Sequence, residues 1–499
     1  MVMNTGAKFT FETGFTQDLQ DTCRVIRDKG DHQGIKHGLR HRQRMNGHIE
    51  DFNGYFVENL ETEHMGSLEA VVVTPSDPTP TCVLPLSALD SQLFLRFTAE
   101  CLLVYTPCPG LDRAATSARL KAALAQALVP YYPFASRVRP CSGGSGLEVV
   151  CRAQGAVFIE AFSDRYTVRD FDKAPRTVTS WRKFLSLNVP DVLDGSPPLV
   201  VQFTWLNDGA TAVGVGINHC VCDGGGLVQF LSYFAELASG KCPALQPTPV
   251  WNRHLLNPSP ESPDRACPVI LTEFNRVPDL CDFMTLVSSD LKPTSIKFDK
   301  RRLDELKHVA RSMSPVSESS SYTSFEVLAA HVWRSWARAM AFPSNQILKI
   351  LFSIDVRNRV KPGIPDGYYG NALVLGCAQS STKDLVQKGL GYGSALVRSA
   401  KERVDSEYVR KMIKWVSESR ENPYSVGVLI VTQWAGLGAE RVDFGLGRLI
   451  HVAPIYVGRY CSLSPAYGER DALRVMMAVP TSAVDQFQYF LTASAASRL

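Results

Sequence analysis

Residues 198–231 read PLVVQFTWLNDGATAVGVGINHCVCDGGGLVQFL, and their pattern sets the architecture of the chain. Two apolar runs flank Asn207-Asp208-Gly209, a sequence that supplies the positive φ angles of a tight hairpin turn. On the second strand Val213, Val215, Ile217 and His219 point to one face, so the histidine emerges where a buried apolar row runs out. The period then changes. Leu227, Phe230, Leu231, Phe234 and Leu237 recur at helical spacing, and Gly240 stands where the C-terminal cap belongs. Between strand and helix, Gly224-Gly225-Gly226 are expected to turn sharply ahead of a helix starting at Leu227, whose N-terminal N–H groups favour an anion.

Outward from this segment, strand and helix signals alternate. Leu120, Leu124 and Leu128 share a helical face, and GLEVVC and AVFIEA read as short strands after Ser142-Gly143-Gly144. From about Cys242 to Ser289 the chain is rich in proline and its periodicity fades, as expected of a crossover between domains. Beyond it, Thr323-Ser324-Phe325-Glu326 is a capping box opening a helix through Met340. The segments QILKILFSIDV, VGVLIVT and ALRVMMAV read as strands, and Val484, Phe487 and Leu491 share a face of a final helix. The expected organisation is a poorly ordered extension over 1–67, an N-terminal α/β domain over 68–245, a linker over 246–289 and a C-terminal α/β domain over 290–499. The extension holds five of the ten histidines (His32, His37, His41, His48, His64) and little periodicity. Acidic Asp18, Asp21, Asp28 and Asp31 count against an organelle transit peptide.

The 499 residues, 45% hydrophobic with a formal net charge of +4, describe a globular protein too mildly basic to suggest nucleic acid. No apolar run approaches the roughly 20 residues of a membrane span. The N-terminus lacks a basic region followed by an apolar one, so a cytoplasmic location is the expectation. Thirteen cysteines, an odd number without CxxC pairs, read as reduced thiols, and Cys220-Val221-Cys222 is too tight for a structural zinc pair.

His219 is the first candidate for chemistry. Asp223, four residues on, either orients it or holds the turn through a salt bridge; the spacing leaves both open. Elsewhere, GLGYGS near Gly391 lacks the third glycine of a dinucleotide fingerprint, and Gly436-Leu437-Gly438 reads as a turn.

These residues also carry a resemblance. HCVCDGGGLVQFL resembles the HxxxDG signature of the plant BAHD acyltransferases, and VDFGLG (442–447) resembles their DFGWG signature. The segments at 73–90 (VTPSDPTPTCVLPLSALD), 128–138 (LVPYYPFASRV), 323–339 (TSFEVLAAHVWRSWARA) and 355–373 (DVRNRVKPGIPDGYYGNAL) resemble the family's intervening blocks in order, so the match runs from about Val71 to Phe490. The resemblance implies two chloramphenicol-acetyltransferase-like domains, each a mixed β-sheet flanked by helices, with the active-site channel at their interface. It implies His219 as general base, Asp223 paired with Arg357 rather than with substrate, and Gly224, Asp443, Phe444, Gly445 and Gly447 as scaffold. Thr432 and Trp434 of VTQW correspond to a Thr/Ser-x-Trp element whose indole N–H serves the tetrahedral intermediate.

The implied activity is acyl transfer from an acyl-CoA co-substrate to a small-molecule alcohol by a monomer, with no bound cofactor and no metal. No GxSxG elbow is present, which argues against a covalent acyl-enzyme. Leu446 replaces the tryptophan of DFGWG, with weaker rigidity of the loop expected. Gly436 stands where shikimate- and quinate-using relatives carry an arginine, so a carboxylated cyclitol acceptor is disfavoured. Residues 406–434 look closest to branches that move hydroxycinnamoyl groups onto ω-hydroxy acids or other alcohols. An amine or polyamine acceptor is the enzymatic alternative, and a non-catalytic accessory role in lipid elongation is the alternative of another class.

Overall fold

The computed structural model describes residues 65–142, 146–187, 192–241, 247–258, 269, 271–280, 290–312, 321–361, 363–418, 427–455, 458, 460–469 and 471–493. The expected extension therefore lies outside the described residues up to position 64. The expected linker edges fall on or beside 242–246 and 281–289, which are outside them too.

The first half of the chain supplies strands β1 (Met65–Val73), β2 (Cys82–Pro85) and β3 (Thr98–Tyr105), helix α1 (Arg113–Ala127), strands β4 (Arg137–Pro140), β5 (Leu147–Cys151), β6 (Ala156–Ser163), β7 (Leu199–Trp205) and β8 (Thr211–Asn218), and helix α2 (Gly224–Ala238). The hairpin read from Asn207-Asp208-Gly209 is β7–β8, antiparallel with Leu199 opposite Ile217, and Gly209 takes φ +79°. Every residue of both strands is buried, because both faces are covered. Val213, Val215 and Ile217 face the core shared with Leu120, Leu124, Phe230 and Phe234. On the opposite face Gly214 lets another segment lie flat on the sheet: a Cβ there would sit 1.8 Å from the Phe184 carbonyl oxygen.

The second half supplies β9 (Leu291–Phe298), α3 (Lys300–Ser312), α4 (Ser324–Ala339), β10 (Ile347–Asp355), β11 (Leu373–Ser381), α5 (Thr382–Gln387), α6 (Gly389–Glu402), α7 (Ser406–Glu418), β12 (Val428–Gln433), β13 (Leu449–Pro454), β14 (Cys461–Pro465), β15 (Leu473–Pro480) and α8 (Val484–Thr492). The capping box is formed: the Thr323 hydroxyl accepts from the Glu326 N–H at 3.3 Å and the Glu326 carboxylate from the Thr323 N–H at 2.9 Å. GLGYGS is the opening of helix α6, not a phosphate loop.

Among the described residues two six-stranded mixed sheets result, in the orders β1-β6-β7-β8-β3-β13 and β11-β10-β12-β14-β15-β9, with a small sheet β2-β5-β4. Helices flank both. Between the two large sheets, membership departs from chain order at β13, which lies between β12 and β14 in sequence but pairs antiparallel with β3, Val452 opposite Leu103. It covers what would be an open edge of the first sheet and ties the two α/β halves together.

Candidate functional site

Strand β8 ends at Asn218, and the next residue is held by its backbone: the His219 N–H donates to the Phe97 carbonyl at 2.9 Å. The imidazole lies 5.4 Å from the Phe97 ring centroid, tilted by 43°. Its two nitrogens differ. Nδ1 is enclosed without a hydrogen bond of normal geometry, whereas Nε2 is neither enclosed nor bonded to any described residue. Burial lowers the pKa of the ring, and its own backbone carbonyl, Asp223, Asn371 and Asp90 oppose that shift only in part. A neutral ring with Nε2 open is equipped to accept a proton near neutral pH.

Asp223 turns away from the histidine. Its Oδ1 accepts from the Gly226 N–H at 2.9 Å and from Arg357 Nη2 at 2.9 Å, and its Oδ2 accepts from the Ala372 N–H at 3.1 Å. Burial alone would lower the pKa of Arg357, but Asp223 and Asp355 more than reverse this and keep it charged. Helix α2 therefore begins at Gly224 with Asp223 as its N-cap, three residues earlier than expected. The glycines are its first turn rather than a separate loop. Asp before a helical run is itself an N-cap signal. At Gly226 a Cβ would meet the Tyr369 carbonyl oxygen at 2.0 Å, so a small residue is required for close packing, not for a left-handed turn.

Behind the His219–Asp223 loop meet three buried polar side chains that the sequence reading assigned no role: Asp90, Arg253 and Asn371. Asp90 and Asn371 lie in blocks that resemble the family. Arg253 lies in the proline-rich stretch, where no local signal marks it. Its guanidinium packs over Trp251 at 4.2 Å and stays charged because Asp90, Tyr368, Tyr369 and Cys222 together outweigh the cost of its burial. Cys220 and Cys222 are also buried, and burial pushes both thiols up, which makes them poor nucleophiles.

Trp434 follows β12, its backbone N–H donating to the Leu463 carbonyl at 2.8 Å. Its indole and Leu437 pack on the core cluster that contains Cys220, Cys222 and Leu227. Leu437 Cδ1 lies 3.0 Å from where a Cβ of Gly224 would be, so this turn meets the start of α2. The indole N–H is neither enclosed nor bonded to a described residue. Thr432 is half-buried on β12, its hydroxyl 3.5 Å from the Cys461 carbonyl. Gly436 and Gly438 take φ +86° and +93°, forming the expected turn, and no described residue lies within 4 Å of a Cβ at Gly436.

The 443–447 segment is built into the first half. Phe444 is fully buried, edge-on to Phe234 at 4.9 Å and Tyr105 at 6.2 Å. The Tyr105 hydroxyl donates to the Val442 carbonyl at 3.0 Å and Arg119 Nη1 to the Phe444 carbonyl at 3.0 Å. Exposed Asp443 accepts from the Gly445 N–H at 2.9 Å, closing the turn. Leu446 is fully buried in the same cluster.

The family described as Transferase family matches residues 64–490. Taxadien-5-alpha-ol O-acetyltransferase of Taxus chinensis is 31% identical over 438 residues, which span 85% of this chain and 95% of that one. Omega-hydroxypalmitate O-feruloyl transferase of Arabidopsis thaliana is 32% identical over 383 residues, 74% of this chain and 80% of that one. Among solved structures, vinorine synthase aligns with a TM-score of 0.63 at 20% identity over 86% of this chain and 98% of its own, a likeness of fold.

Proposed function

Because the chain belongs to the Transferase family, that of the plant BAHD acyltransferases, it is an acyl-CoA-dependent O-acyltransferase, and we propose that it moves an aromatic acyl group, a hydroxycinnamoyl group foremost, onto an alcohol. The observation that carries the catalytic part is the asymmetry of His219, with Nδ1 enclosed and Nε2 open. The acceptor hydroxyl gives its proton to Nε2 while its oxygen attacks the thioester carbonyl. The tetrahedral oxyanion takes a hydrogen bond from the Trp434 indole, with Thr432 supporting that strand. Collapse breaks the C–S bond, and the departing CoA thiolate takes the proton back from Nε2, leaving ester, CoA thiol and neutral histidine. The buried, pKa-raised Cys220 and Cys222 support a direct transfer without a covalent acyl-enzyme.

The feruloyl-transferring relative supports the aromatic donor. Open space at Gly436, where no described residue lies within 4 Å of a Cβ, supports an acceptor without a ring carboxylate. The nine described cysteines are free thiols, which fits a cytoplasmic setting. Asp223, Gly224, Arg357, Asp443, Phe444, Gly445 and Gly447 are proposed as support for the site. A monomer with two acyltransferase domains either side of 246–289 completes the proposal, with sedimentation and cell fractionation as its checks.

The test is thiol release from p-coumaroyl-, feruloyl-, caffeoyl-, benzoyl- and acetyl-CoA against fatty alcohols, ω-hydroxy acids, shikimate and spermidine, with His219→Ala and Trp434→Phe alongside. Alcohol-dependent release that His219→Ala cuts to a small residual rate supports the proposal. Turnover with spermidine alone would move the acceptor to an amine. A folded protein inert toward every pair would favour the accessory role.

A further inference from the structure

Asp90 is fully enclosed and its carboxylate is fully engaged. Oδ2 accepts from the Ser87 hydroxyl at 2.6 Å and the Ser87 N–H at 3.0 Å; Oδ1 accepts from Arg253 Nη1 at 3.1 Å and from the backbone and side-chain N–H groups of Asn371 at 3.0 and 2.8 Å. Both partners reach on to the loop after β8. Asn371 Nδ2 donates to the His219 carbonyl at 2.7 Å, and Arg253 Nη2 to the Val221 carbonyl at 2.7 Å. An amide nitrogen has two hydrogens, and here one serves Asp90 and the other His219. Asn371 Oδ1 is enclosed without a hydrogen bond of normal geometry, and its side chain interacts with the His219 ring, whose charged form it favours.

We propose that Asn371, oriented by Asp90, is a positioning residue for acyl transfer: it fixes the His219 peptide so that the imidazole presents Nε2 to the substrates. The proposal rests on His219 as general base. The histidine lies just past the end of β8, where sheet pairing ceases to hold its backbone. Phe97 holds its N–H and Asn371 its C=O, so the peptide planes on both sides of Cα are fixed and with them the direction of Cα–Cβ. The next residue, Ala372, holds the Asp223 carboxylate through its N–H, so one dipeptide grips both ends of the loop. Releasing the first grip lets the ring drift, and a misplacement of about 1 Å costs on the order of 10²-fold in rate.

The experiment compares wild type, Asn371→Ala, His219→Ala and the double variant, using feruloyl-CoA with an ω-hydroxy fatty acid or, if that pair is inert, the most active pair of the panel. Asn371→Ala is expected to lower kcat on the order of 10²-fold, to leave KM for both substrates within about twofold, and to cause no further loss in the His219→Ala background. If Asn371→Ala does not fold, Asn371→Ser, whose hydroxyl is too short to bridge Asp90 and the His219 carbonyl, takes its place. A wild-type kcat in the folded variant, or an equal loss with and without His219, overturns the positioning role. A wild-type rate in His219→Ala would instead overturn the general-base reading beneath it.

Discussion

Asp223 Oδ1 stands 2.9 Å from Arg357 Nη2, so the cap of helix α2 is bonded to the chain just past β10 across 134 positions of sequence. The carboxylate side chain is 1% exposed and the guanidinium 21%. Replacing Arg357 by Met leaves a buried carboxylate without its counter-charge, and the expected loss in urea denaturation is about 3 kcal/mol. Arg357→Lys keeps the charge but not the fork that also serves the Tyr368 and Gly370 carbonyls, and should fall between the two.

Activity should depend on pH through His219. Its pKa lies below the ordinary 6.5, so the ring is already a free base at neutral pH. The profile of kcat/KM is expected to be flat around pH 7 and to fall only on the acid side, with a midpoint below 6.5. A midpoint above that value would contradict the burial seen here.

Stability should fall in acid for a separate reason. His331 and His451 are buried in the two halves, and burial takes their pKa values from 6.5 down to about 4 and about 3. Below pH 6.5 the unfolded chain takes up protons that the fold refuses, so stability present above that pH is lost toward pH 4. The loss is on the order of 3 kcal/mol for each histidine by pH 4. His451→Phe, filling a site edge-on to Trp181 at 4.9 Å, should flatten the difference between denaturation curves at pH 7 and pH 4.

The 443–447 segment predicts a sign. Leu446 is fully enclosed, so restoring the family's tryptophan overpacks the cluster and should cost roughly 1–3 kcal/mol rather than stiffen the loop. Gly447 sits at φ +120°, and a Cβ there would be 2.2 Å from the Thr106 carbonyl oxygen. Gly447→Ala should lower the melting temperature more than Leu446→Trp, and kcat per folded molecule should change little in either.

Gly436 offers the converse test on specificity. Its surroundings are open, and a side chain in its left-handed backbone costs roughly 1–2 kcal/mol. Gly436→Arg should still fold, and should improve kcat/KM for a carboxylated cyclitol on the order of tenfold over a neutral alcohol, the worth of one charge-assisted hydrogen bond. An unchanged preference would remove Gly436 from the acceptor side.

What the sequence by itself determined is what neighbours in the chain decide. The β7–β8 hairpin, the buried row that delivers His219, the face of α2 and the Thr323–Glu326 box depend on turn chemistry and side-chain period over a few residues. The N-cap at Asp223 is also a local signal, but the triple glycine beside it suggests a sharp turn in its place. Spacing left open which way Asp223 faces, and only the family resemblance implied its pairing with Arg357; the tertiary structure decided it, and alone decided why Leu446 is enclosed and that β13 crosses into the first sheet. It alone also decided that Asp90 meets Asn371 across 281 positions and Arg253 across 163. Such pairs carry no periodicity. A buried carboxylate must find donors, and an open strand edge must find a partner. Which donor and which edge depends on how two separately patterned halves pack, and that is settled only once both cores exist.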